Sequence, residues 1–100
     1  MESREEILDI LRREIPFISQ TYRVKRVGVF GSFAKDCAKD QSDVDIVVEF
    51  EKPIGLKFIS LAEYLEKKLN RKIDLLTKEG INSIRNDEIA ADIKRNIIYA

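Results

Sequence analysis

Asp43 and Asp45 flank Val44 in the segment Ser42-Asp43-Val44-Asp45-Ile46-Val47-Val48, at the entrance to an apolar run. Aspartate is depleted in strands, so two of them on either side of one valine need a reason. Alternate strand residues point to the same face, so both carboxylates project together. Like charges that close repel unless a cation sits between them. Upstream, a second apolar run, Val27-Gly28-Val29-Phe30, ends in Gly31-Ser32. A glycine there lets the backbone approach a ligand without a Cβ in the way. Ser32 offers a hydroxyl and, at a helix N-terminus, a backbone N–H for a phosphate oxygen. Lys35 is near enough in sequence to reach the same phosphates. This combination points to a metal-dependent site for a nucleoside triphosphate.

Asp74 is the third acidic residue of interest, set between Ile73 and Leu75 in a segment otherwise suited to burial. If its strand lies beside that of Asp43 and Asp45, three carboxylates converge. Such a set can hold two divalent ions for in-line phosphoryl transfer, where catalysis is mostly positioning and electrostatics. The chain has no histidine and one cysteine, Cys37. Metal ligands must therefore be carboxylates or that thiol, which favours hard ions such as Mg2+ or Mn2+. Ser-His-Asp and Cys-His mechanisms are excluded. Val47 and Val48 stand where a calcium loop of the EF-hand type needs an oxygen ligand and a glycine. Neither a P-loop nor a Gly-x-Gly-x-x-Gly motif occurs. Cys37 reads as a spectator in a polar loop.

The elements that must position these residues follow from periodicity. Ser3-Arg4-Glu5-Glu6 reads as a capping box opening a helix whose apolar stripe is Ile7, Leu8, Leu11 and Ile15. Pro16 is expected to bend or end it, with Phe17 and Ile18 carrying a further turn. Residues 24–30 form a first strand with a solvated basic entry, Lys25-Arg26. Residues 31–42 form a polar connection in which a short helix starts near Ser32. Residues 44–50 form a central second strand. Residues 56–69 form a helix with Leu56, Ile59, Leu61, Ala62, Leu65 and Leu69 on its buried side. Residues 72–76 form a third strand, and a last helix capped by Asn82 or Asn86 runs to near Ile98. Ile97-Ile98-Tyr99 closes the core or extends a docking surface. Helices alternating with strands around a small sheet predict an α+β fold, an α/β sandwich.

The chain has 100 residues, enough for one domain over residues 1–100 with a modest core. Hydrophobic residues make up 44% and charged residues 36%, which suits a globular protein with a charged surface. A net charge of +0 argues against direct nucleic-acid binding. No apolar run is long enough to cross a membrane. The N-terminus is too acidic and polar for a signal peptide, and the single cysteine forms no internal disulfide, so a cytoplasmic location is expected.

Val29-Phe30-Gly31-Ser32-Phe33-Ala34, then Ser42-Asp43-Val44-Asp45-Ile46, then Ile73-Asp74-Leu75, resembles the minimal nucleotidyltransferase (MNT) family of the DNA polymerase beta superfamily. The resemblance implies a small mixed sheet with helices packed mainly on one face. It implies transfer of AMP from ATP, with two Mg2+ ions, to an acceptor hydroxyl. Carried over by position, Gly31 and Ser32 would bind the triphosphate, with Lys35 and Ser42 beside them. Asp43 and Asp45 would hold both metals, and Asp74 would complete the catalytic metal site and help activate the acceptor. Many members are antitoxins that silence a HEPN-domain ribonuclease toxin by adding AMP to a tyrosine, and this bare core resembles that group. The chain departs from the family where Arg-Gly is common, carrying Lys35-Asp36 instead. Lysine keeps the charge but loses the bidentate fork.

Two rival readings remain at the level of sequence. One is a binding module that masks its partner by contact alone. The other is a small-molecule nucleotidyltransferase of the aminoglycoside type, disfavoured because 100 residues scarcely wall an acceptor pocket.

Overall fold

The computed structural model describes residues 4–31, 43–83 and 85–100, and the side chain of Asp87 is left out. Two long helices cover one face of a four-stranded sheet. Helix α1 spans Arg4–Tyr22, and β1 (Val24–Phe30) follows directly. Strand β2 is Val44–Phe50, α2 is Lys57–Leu69 and β3 is Ile73–Thr77. Two short helices, α3 (Lys78–Asn82) and α4 (Asp87–Arg95), lead to β4 (Ile98–Tyr99). The sheet order is β3-β2-β1-β4. β1 pairs antiparallel with both β2 and β4, whereas β2 and β3 run parallel. The α+β fold is as the sequence predicts, and the mixed sheet is what the family resemblance implies.

The main core lies between the helices and the first face of the sheet. Ile7, Leu8, Leu11 and Ile18 of α1 and Leu61, Leu65 and Leu69 of α2 pack on Val27, Val29, Val44, Ile46 and Val48. Each such side chain contributes about 1.5–3 kcal/mol by leaving water. On the opposite face, Phe30 and Val47 meet Ile81 of α3, with Ile93 and Ile97 against them. Asp45 and Asp74 belong to that face, because they alternate with the core-facing Val44, Ile46, Ile73 and Leu75.

Several expectations are corrected. Helix α1 runs through Pro16 to Tyr22, beyond the predicted break. A mid-helix proline costs about 3 kcal/mol or more. The buried Ile18, and Phe17 and Tyr22 gathered around Tyr64 of α2, reward the extra turns. The Tyr64 hydroxyl also donates to the Glu14 carboxylate, tying the two helices. Arg23, left-handed at φ 58°, then turns the chain into β1. Leu56 and Ile59 are 86% and 58% exposed, not buried as the helical period implied. Leu56 is only the residue before α2, and Ile59 lies on its outer side.

The last helix stops at Arg95, and Ile98–Tyr99 pairs with Gly28 and Val29 of β1 instead of continuing it. Asn86, not Asn82, caps that helix, its side chain accepting from the N–H groups of Glu88 (2.9 Å) and Ile89 (3.1 Å). Arg26 is more than a solvated entry residue. It pairs with Glu49 across β1 and β2 and lies 4.1 Å over the Tyr99 ring. The proposed capping residue Ser3 lies outside the described residues.

Candidate active site

The parallel register of β2 and β3 sets Asp45 directly opposite Asp74. The antiparallel register of β1 and β2 sets Phe30 opposite Asp45, so Gly31 follows immediately beside the same carboxylate. Asp45 therefore stands between the end of β1 and the start of β3. Asp43 lies two residues before Asp45, just ahead of β2, and is exposed, as is Asp74. Asp45 is half-buried.

The electrostatics follow from that placement. Burial, the charge of Asp74, a side-chain hydrogen bond with Asp74 and the charge of Asp43 together push the Asp45 carboxyl up to about 6. Burial is the largest of these effects, because it disfavours the charged form, and the neighbouring acids add to it. Asp45 and Asp74 form the close pair, while Asp43 acts on Asp45 through its field. Among the described residues, no three carboxylates stand close enough together to enclose an ion as they are. The donor set nonetheless fits a hard divalent cation. It consists only of oxygens, and the repulsion raising Asp45 is what a cation would relieve.

Gly31 has φ +71°, and a Cβ built on it would lie 2.1 Å from Oδ2 of Asp45. The sequence predicts phosphate approach at this glycine, whereas its contact with Asp45 depends on β1–β2 register and has no local sequence signal. Ser32, Lys35 and Ser42, the other expected nucleotide contacts, lie outside the described residues, as does Cys37. A concavity of about 510 Å³ occurs elsewhere, lined by Phe50, Pro53, Ile54, Phe58 and Thr77 among others. It sits at the far ends of β2 and β3, away from Asp45 and Asp74, and Glu51, Lys52 and Glu79 supply the charged part of its mostly apolar wall.

The nucleotidyltransferase domain family matches residues 4–100 of this chain. The chain belongs to that family. It is a nucleotidyltransferase of the minimal kind. The protein adenylyltransferase MntA of Thermococcus cleftensis is 41% identical over 100 residues, covering 99% of this chain and 97% of that protein. The solved structure of a candidate minimal nucleotidyltransferase superposes with TM-score 0.74 at 26% identity, covering 97% of this chain and 95% of the other. A chain from the complex of tri-AMPylated Shewanella oneidensis HEPN toxin with MNT antitoxin aligns at TM-score 0.54 and 20% identity, over 96% of this chain and 66% of that one. At that identity, the likeness of this nucleotidyltransferase to the complex is one of fold. The resemblance read from Gly31, Asp43, Asp45 and Asp74 is thus that of a true member.

Proposed function

We propose that residues 1–100 act as one catalytic domain that transfers AMP from ATP to a hydroxyl, a tyrosine of a partner protein, and that the partner is a HEPN-domain toxin neutralised by the modification. The observation that carries this reading is the Asp45–Asp74 pair at one end of the sheet, beside Gly31. The 41%-identical MntA, named a protein adenylyltransferase, supports AMP and a protein acceptor. The complex of an AMP-bearing HEPN toxin with an MNT antitoxin supports the kind of partner.

In this reading Asp43, Asp45 and Asp74 hold Mg2+, which, when bound, neutralises charge on the triphosphate and lowers the pKa of the attacking hydroxyl. The chain's own groups do the rest. Gly31 admits the nucleotide to the end of β1, with Ser32, Lys35 and Ser42 as phosphate contacts. Asp74, the exposed member of the pair, faces the incoming acceptor and takes the proton of its hydroxyl as the oxygen attacks. A bond forms between that oxygen and the α-phosphorus, the bond to the β-phosphate oxygen breaks, and pyrophosphate leaves. The transfer takes place in the cytoplasm, and among the described residues no helix is long and apolar enough to cross a membrane.

The test is transfer of label from α-labelled ATP, with Mg2+, to a co-expressed HEPN protein. Wild type is expected to label it and Asp45→Asn to lose the signal while remaining folded. Neutralisation without label, persisting in Asp45→Asn, would instead establish an antitoxin that acts by contact.

A further inference from the structure

Two glycines of this chain have left-handed backbones, and they differ in what surrounds them. Among the described residues, nothing lies within 4 Å of the position a Cβ would take at Gly55 (φ +58°). There the glycine serves backbone conformation alone. At Gly31 (φ +71°) the same construction meets Asp45 three times: Oδ2 at 2.1 Å, Cγ at 3.0 Å and Cβ at 3.4 Å. The carboxylate fills the volume that a side chain at position 31 would need.

The colliding atom is the end of a rotatable side chain, not backbone. An added Cβ would therefore be accommodated by Asp45 swinging aside, with β1 and β2 still paired through Phe30 and Asp45. The register opposite Asp74 would survive, but the carboxylate would leave it. We propose that Gly31 is a positioning residue for Asp45: its missing Cβ is the seat of the carboxylate and fixes where that acid stands relative to Asp74. This role is separate from contact with a nucleotide, and it rests on the reading of Asp45 as a site carboxylate.

The experiment compares Gly31→Ala, Gly31→Asn and Gly55→Ala with wild type. Asparagine tolerates a left-handed backbone but brings the same Cβ. Calorimetry with Mg2+ alone, without nucleotide, is expected to show both position-31 variants binding about 10- to 100-fold more weakly. Gly55→Ala, which imposes strain without collision, should bind as wild type does. Metal-free melting supplies a readout independent of the ion. Gly31→Ala should lower Tm more in the wild-type background than in Asp45→Ala, where the colliding carboxylate is gone. Wild-type Mg2+ affinity in Gly31→Asn, or an equal fall in Tm in both backgrounds, would overturn the proposal. If Gly31→Ala unfolds, recovery of a melting transition in the double variant with Asp45→Ala supports it, and failure to recover overturns it. A wild type that binds no Mg2+ would sink the metal reading of the site, leaving the melting cycle to decide the role of Gly31.

Discussion

Asp45 and Asp74 face each other across the only parallel strand pair among the described residues, so the closest acidic contact of the site is built by β2–β3 register. Removing one partner should separate stability from activity. Asp74→Asn is expected to raise metal-free stability by about 1 kcal/mol or less, since the pair is partly exposed and screened. The same change should reduce AMP transfer by about 10²-fold or more, the usual scale for loss of a group that handles a proton. Urea unfolding in a chelator and the labelling assay check the two arms.

The raised Asp45 carboxyl makes stability depend on pH in a definite sense. The folded chain holds this proton up to about pH 6, against an ordinary value of 3.8. Between those values the folded state binds more protons, so stability falls as pH rises. The contribution is complete below about pH 4 and lost above about pH 6. Its size is about 1–2 kcal/mol once half-exposure and screening are allowed for. Metal-free melting of wild type and Asp45→Asn from pH 4 to 7 should show the wild-type curve losing ground to the variant as pH rises.

Metal binding should show the same proton from the other side. Mg2+ and H+ compete for Asp45, so apparent Mg2+ affinity is expected to weaken about tenfold per pH unit below 6. Calorimetry near pH 6 in buffers of different ionisation enthalpy should reveal proton release. A pH-independent affinity would place the ion away from Asp45.

Gly28 carries a structural prediction. A Cβ there would meet Ile97 Cγ2 and the backbone oxygen of Ile98 at 3.0 Å, and Tyr99 Cδ1 at 3.1 Å. Gly28→Ala should therefore press β4 off β1 and cost about 1–3 kcal/mol. Chemical denaturation measures the loss, and earlier amide exchange at Ala100, whose N–H donates to Val27 O at 2.9 Å, would locate it.

Asn86→Ala removes a cap that satisfies two backbone donors of α4 and should cost about 1 kcal/mol. The same denaturation series tests it.

Much of this protein was determined by its sequence. The alternation of Val44, Ile46 and Val48 with Asp43 and Asp45 already separates the helix-covered face from the face of the carboxylates, because strand side chains have a period of two. The spacing of Leu61, Leu65 and Leu69 likewise names the buried side of α2. Local rules failed where distant contacts outweighed them. Pro16 should interrupt α1, yet Ile18 and the aromatic contacts to Tyr64 hold the helix past it. The last helix, expected to run to near Ile98, stops at Arg95 because Ile98 and Tyr99 pair with Val29 and Gly28 of β1. The pairing of Asp45 with Asp74, and of Gly31 with Asp45, was decided only by tertiary structure. Register brings those residues together from separate segments, and no local period encodes which rung of one strand meets which rung of the next.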